Sequence, residues 1–318
     1  MTGGHSKFGR LTRFTAMMGA GCMVAACAIV ILAESDASPH GGPTQLRMAV
    51  SEKVVVGVNL NDAKAALAIW SGELLKSIDV RMELAAKQDW VMTSDQLLAA
   101  IRAGQVDLVC LTVQEYLQVV PYIDTRRILT DNYGGDEFVL VVRQGSGIDN
   151  LAGLRGKSLI LWDSPSTSLA EPWLAVEFWK ESPDSPRQVL GRITRNTKLS
   201  QVVLPVFFGQ ADACMVTRRG LDTMVELNPQ LAQKLKVLAS SPRMEGTFFA
   251  CRKDCPEAFK KQILDGLLRS ESSPTARQIS TMFQSPGFAL RDADGLRPAL
   301  SLLDAYERRH QPSSERRK

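Results

Sequence analysis

The sequence predicts an α/β chain of two lobes, each built on a mixed or parallel sheet, joined by two extended crossings around a cleft. Three observations predict it. β-Branched runs alternate with helical stretches from Lys53 to Tyr116, and that alternation builds parallel strands covered by helices on both faces. The same alternation restarts at Ser158 and continues to Leu227. Between and after these blocks lie extended pieces, with Tyr133-Gly-Gly135 marking a change of direction.

Taken in order, Lys53–Val58 is a β-branched first strand that ends in the polar loop 57–62. A helix follows from about Ala63 to Ser77, and Asp79–Leu84 is a second strand. Ser94 caps a helix through Arg102, which Gly104 closes. Val106–Leu111 is strand-like and ends at Thr112; a helix then carries Glu115 and Tyr116. Arg127–Thr130 and Glu137–Arg143 form the first crossing. The second block holds strand Ser158–Trp162, helix Thr167–Lys180, a helix near Lys198–Phe208, strand Ala213–Thr217 and helix Arg218–Leu227. Leu235–Ser240 is the second crossing, Thr247–Cys251 a strand, and helices from Pro256, Thr275 and Asp294 close the chain. The expected divisions are a leader over 1–37, a first lobe from 48–135 and 236–307, a second lobe over 136–235, and a basic tail over 308–318.

The leader has the layout of an export signal. Lys7, Arg10 and Arg13 precede an uncharged apolar run, Thr15–Ala33, and Ser35-Asp36-Ala37 offers small residues at a cut. The run is also long enough to cross a bilayer as a retained anchor. Val24-Ala-Ala-Cys27 fits a lipidation pattern, although Ala28–Ala33 stays apolar where such proteins turn polar. Each alternative puts the rest of the chain in the periplasm or on the outer face of the cytoplasmic membrane.

Composition excludes several functions. The net charge of +4 resides in the tail beyond Glu307, so the body is nearly balanced and offers nothing to nucleic acid. The three histidines are His5, His40 and His310, all outside the lobes. A Ser–His–Asp or Cys–His centre in the cleft is therefore unavailable, and the expectation is no enzyme and no cofactor. Leu151 stands where a Walker A loop needs Gly, and Gly145-Ser-Gly147 lacks a third glycine. Cys251 and Cys255 are near enough to bridge in an oxidising compartment or to remain thiols; with no histidine partner, they do not read as a zinc site.

Ligands of open α/β sheets sit beyond the C-terminal strand ends. That brings together Asn59 and Asn61, Thr112 and Tyr116, the hydroxyl loop Ser164, Ser166, Thr167 and Ser168, and Thr217 with Arg218. Tyr133, in the first crossing, joins them, and Arg219 is an alternative to Arg218. The hydroxyl loop stands out. Four hydroxyls at a helix start, where backbone N–H groups are free and the dipole is positive, make an anion site. The same residue types are also the usual helix caps.

Five ordered segments resemble the phosphonate-binding branch of the type II periplasmic binding proteins, which serve ABC importers. They are Ala103-Gly-Gln-Val-Asp-Leu108, Leu151–Lys157, Ser166–Pro172, Val206–Ala213 and Leu235–Pro242. The resemblance covers roughly residues 50–305. It implies a type II periplasmic-binding-protein fold and a monomeric exported carrier. That carrier would take a small anionic ligand (phosphonate, phosphate or phosphite) and deliver it to an ABC permease. A membrane-tethered sensor or interaction domain of the same fold is the alternative. The resemblance also implies that the loop at Ser164–Ser168 holds the anionic head group, faced by Thr112–Tyr116. For an aminophosphonate's amine Glu171 and Asp212 are the candidate acidic side chains, with Asp212 also read as a structural residue at the start of a strand. Leu169 departs from the family's usual Gly, and a side chain there is expected to crowd a phosphonate.

Overall fold

The computed structural model describes residues 45–78, 83–84, 90–270, 272–275, 277–278 and 287–310. The leader, with its signal, anchor and lipidation alternatives, lies outside them. Among the described residues no helix is long and apolar enough to cross a membrane.

The strands and helices follow the expected alternation. They are β1 (Gln45–Leu46), β2 (Met48–Ser51), α1 (Leu60–Ser77), β3 (Glu83–Leu84), β4 (Val91–Met92), α2 (Ser94–Arg102), β5 (Leu108–Thr112), α3 (Tyr116–Val119), β6 (Ile123–Asp131) and β7 (Phe138–Arg143). Then come β8 (Ser158–Trp162), α4 (Ala170–Glu181), α5 (Pro186–Val189), β9 (Arg192–Asn196), α6 (Leu199–Phe207), β10 (Ala213–Thr217), α7 (Arg218–Leu227) and α8 (Gln230–Lys234). The last are β11 (Leu235–Ser240), β12 (Thr247–Arg252), α9 (Glu257–Ser270), β13 (Phe288–Arg291) and α10 (Arg297–His310).

Beside a two-stranded parallel pair of β1 and β3, two mixed sheets form among the described residues. One has the order β13-β6-β12-β5-β2-β4, the other β11-β7-β10-β8-β9. In the first, β2 runs parallel to β4 and β5, while β12 is antiparallel to β5 and β6. In the second, β8 is parallel to β9 and β10, and β7 is antiparallel to β10 and β11. Inward strands such as Phe138–Val142 are buried at every position, as a sheet covered on both faces requires.

Two segments cross between the sheets, and they touch. Asp136 and Met244 form an isolated antiparallel bridge. Gly135 has φ +81°, and a Cβ there would lie 2.3 Å from the Met244 carbonyl carbon, so only glycine lets the crossings close up. The largest apolar cluster continues from one sheet to the other. It includes Leu111 and Phe248 of the first, Phe138 of the second, Trp173 of α4, and Leu296, Ala299, Leu302 and Leu303 at and within α10. Helix α10 lies on α4, with Tyr306 stacked on Trp179 at 5.7 Å.

Several expected boundaries move. The strand expected at Lys53–Val58 lies earlier, as β2 at Met48–Ser51, because Ser51 accepts from the Lys53 N–H and starts a single turn of tight helix. Thr93, not Ser94, caps α2, in a capping box with Gln96. Leu235–Ser240 is an edge strand on β7, so the second sheet extends past 235 and the return crossing is 241–246. Strands β1, β4, β9 and β13 have no counterpart among the strands the sequence predicts. The basic tail begins as helix through His310, with Arg309 over Trp179. The helix expected from Thr275 lies mostly outside the described residues.

Candidate functional site

The strand ends converge as the topology requires, and they wall two cavities that share Pro165. One has a volume of about 430 Å³, within the ~300–1,000 Å³ usual for small-molecule sites. The other, against the crossings, has about 110 Å³.

The larger cavity begins at the hydroxyl loop. Pro165–Thr167 is one tight turn, and α4 starts only at Ala170, not at the expected Thr167. Ser164 and Thr167 cap the tight turn: Ser164 Oγ accepts from the Ser166 N–H, and Thr167 Oγ1 accepts from the Ser164 N–H. The Thr167 hydroxyl also donates to the Trp162 carbonyl. Thr167 is thus spent on the backbone. Ser168 differs. Its hydroxyl is buried and has no hydrogen-bond partner among the described residues, while its carbonyl accepts from Gln114 Nε2 across the cleft at 2.7 Å. Next to it, the Ala170 and Glu171 N–H groups at the start of α4 lack intrahelical acceptors, while Pro172 has no N–H and the Trp173 N–H is bonded to the Leu169 carbonyl. Leu169, expected to crowd a ligand, is instead fully buried in the core.

Around that helix start stand Lys53, Arg187 and Arg195, with Glu171, Asp163, Thr112, Gln114, Ser164 and Tyr306 completing the wall. The Glu171 carboxylate bridges both arginines: Oε1 accepts from Arg187 at 3.0 Å, and Oε2 accepts from Arg195. Arg195 also lies 3.8 Å from Asp163. Three cations against two carboxylates leave the wall positive. Thr112 donates to Glu115, whose buried carboxylate also accepts from Ser51 and Ser94. That network fixes the first-lobe loop rather than leaving Thr112 free for a ligand.

The smaller cavity has the opposite character. Val50, Val55, Trp70, Phe248, Phe249 and Phe288 line it, with Ser166, Asp131, Asp136, Glu245 and Arg219. Arg219 is consumed by Asp131 and Asp136, each at 3.0 Å. Burial, with the neighbouring Asp131 charge adding to it, pushes the Glu245 carboxyl up to about 7. This cavity is smaller and more apolar than the first, and its one cation among the described residues is already paired with carboxylates.

The remaining expected residues fall outside both cavities. Asn59 is exposed and caps α1, accepting from the Asn61 and Asp62 N–H groups; Asn61 is exposed beside it. Tyr116 sits in the core, edge-to-face on Phe248, because α3 turns it inward. Tyr133 is exposed under the Arg219 guanidinium. Thr217 is buried and caps α7. Arg218 turns away to Glu137 and Ser240, and Arg219 takes the cleft side. Asp212 accepts from Ser158 and pairs with Lys157, a structural tie. Lys53, Gln114, Arg187, Arg195 and Tyr306 had no local signal in the sequence; only the converging loops and α10 bring them together. Cys251 and Cys255 are both buried free thiols, pushed up in pKa chiefly by burial.

Comparison with known proteins agrees with this architecture. The profile of a family described as ABC transporter, phosphonate, periplasmic substrate-binding protein matches residues 61–295. Among solved structures, XAC2383 from Xanthomonas citri, seen with chloride and with ATP, gives a TM-score of 0.57 at 16% identity over 84% of this chain and 98% of that one. A binding protein component of an ABC phosphonate transporter from Pseudomonas aeruginosa gives 0.54 at 16%, over 83% and 87%. PhnD1 from Prochlorococcus marinus, in complex with methylphosphonate, gives 0.56 at 15%, over 83% and 98%. At such identities the structural likeness shows the fold. A search of curated proteins found no match.

Proposed function

This chain belongs to the family of periplasmic phosphonate substrate-binding proteins of ABC transporters, and from that premise we propose that it captures a small phosphorus oxyanion in the larger cavity. The class is phosphonate, phosphate or phosphite. The family implies a membrane permease as the receiving partner; a monomeric carrier with no enzymatic step is part of the proposal.

One observation carries the choice of cavity. The Ser168 hydroxyl is buried without a partner beside the start of α4, in a wall that also holds Lys53, Arg187 and Arg195. A buried unpaired hydroxyl costs ~1–3 kcal/mol, and an oxyanion oxygen would satisfy it. Charge-assisted bonds to an anion contribute ~1.5–3 kcal/mol each. A few of them, with the free N–H groups, are enough for micromolar affinity, about −8 kcal/mol.

Titration calorimetry with methylphosphonate, phosphite and phosphate tests the proposal. The expected result is micromolar or tighter binding of at least one, weakened more than ~10-fold by Arg195→Ala. Absence of binding to all three overturns the substrate class while leaving the fold untouched.

A further inference from the structure

The larger cavity contains something a plain anion site would avoid. Glu171, in the first turn of α4, stands inside a wall otherwise built for negative charge, and Asp163 stands with it. Glu171 keeps Arg187 and Arg195 in place, yet each carboxylate oxygen has room for a further hydrogen bond, since a carboxylate accepts about four. It is partly shielded, with 23% of its side chain exposed. Its two guanidinium neighbours make the spot hostile to an amine, so the amine-binding role does not suit it.

We propose that Glu171 reads the proton of the bound oxyanion. Resting on the oxyanion reading above, this narrows the ligand class to a singly ionised phosphonate or phosphite, each carrying one P–OH. Its charged oxygens face Arg187, Arg195 and the start of α4, and its hydroxyl donates to Glu171. A sulfonate or sulfate has no such hydrogen at neutral pH. Its oxygen would be pressed against the carboxylate, and repulsion would reject it. Sites that hydrogen-bond a ligand hydroxyl discriminate strongly against analogues lacking it, because the site's own polar group is left unpaired.

The groups facing Glu171 are Lys53 after β2, Asp163 after β8, Arg187 on α5, Arg195 on β9 and Tyr306 on α10. None is a histidine, the side chain that titrates near neutrality. Tyr306 is held above its ordinary value, by burial first and by the Glu171 charge next. The second ionisation of phosphorus oxyacids, ~6 for a phosphate monoester and higher for alkylphosphonates, falls in the working range. Raising the pH therefore removes the hydrogen that Glu171 reads.

The experiment measures dissociation constants for methylphosphonate and methanesulfonate, two ligands of similar shape, at pH 6 and pH 8.5. Wild-type protein is expected to prefer methylphosphonate by roughly tenfold or more at pH 6. That preference shrinks at pH 8.5 because methylphosphonate weakens while methanesulfonate does not move. In Glu171→Gln the preference collapses because methanesulfonate tightens. Equal wild-type affinity for the two at pH 6 overturns the inference, as does tighter methylphosphonate binding at pH 8.5. So does a Glu171→Gln variant that weakens both ligands in proportion, which would leave Glu171 a mere support for the arginines. In those three results methylphosphonate still binds and the oxyanion reading survives; binding of neither ligand to wild-type protein at pH 6 removes both.

Discussion

Ser168→Ala should move stability and affinity in opposite directions. In the ligand-free protein the Ser168 hydroxyl is buried and unpaired. Leaving such a group unsatisfied costs ~1–3 kcal/mol. Alanine removes the hydroxyl and leaves no cavity larger than one oxygen, so that cost disappears. In a domain of this size each kcal/mol is worth about 2–4 °C in melting temperature. The variant is expected to melt at least as high as the parent and up to several degrees higher. Binding should suffer, because the hydroxyl's bond to the oxyanion is lost, ~1.5–3 kcal/mol or about 10- to 100-fold in Kd. Thermal melts without ligand, paired with calorimetry on methylphosphonate, read both quantities. A lowered melting temperature with unchanged affinity would refute the reasoning and return Ser168 to a structural part of the turn.

Other outcomes follow from the same accounting. Thr167→Ala should lose about 1 kcal/mol of stability, through the cap it makes with Ser164, and keep its ligand affinity; a large affinity loss would place Thr167 in the site. Glu245 is 4% exposed and titrates at about 7, above its ordinary range. A carboxyl raised in the folded state contributes stability in full below the unfolded value, ~4.3, and loses it as pH rises through 7, up to ~4 kcal/mol. Glu245→Gln should therefore flatten denaturation midpoints between pH 5 and 8.5, and an unaltered slope would argue against this assignment. Asp124 is buried, which opposes its charge, yet hydrogen bonds from Arg126 and the fully buried Lys260 hold it below the usual carboxylate range. Asp124→Asn should cost about 3 kcal/mol in urea unfolding at pH 7, because Lys260 loses its buried counter-charge; a cost below ~1 kcal/mol would show that Glu257 compensates. Cys251 and Cys255 should resist thiol reagents in the native protein and give the same intact mass with and without reductant. Stoichiometric zinc would contradict that.

Much of the architecture was legible because it depends on local pattern. Ser158–Trp162, Ala213–Thr217 and Arg218–Leu227 are clean runs of one period between turn residues, and the structure keeps those bounds. Strands β9 and β13 escaped notice because Arg192–Asn196 and Phe288–Arg291 mix charge with apolar residues, as half-buried edge positions do. The candidate site was legible in one part. The hydroxyl loop carries its own signal, but sequence could not say which hydroxyl is spent on capping. Thr167 points back to Trp162 and Ser168 does not, and that division depends on α4 starting at Ala170. Lys53, Arg187, Arg195 and Tyr306 come from four separate elements and meet only in the folded chain. Asn59 and Thr217 went the other way. Their positions at strand ends suggested ligand contact, but each sits one residue before a helix and caps it.

The central claim is that the oxyanion occupies the larger cavity, against Ser168 and the start of α4. A crystal structure of the complex with methylphosphonate tests it most directly, by locating the phosphorus atom. The account predicts phosphonate oxygens within hydrogen-bond distance of Ser168 Oγ and of the Arg187 or Arg195 guanidinium, with Glu171 facing the third oxygen. Phosphorus seated beside Arg219 and Glu245, in the smaller cavity against the crossings, would contradict it.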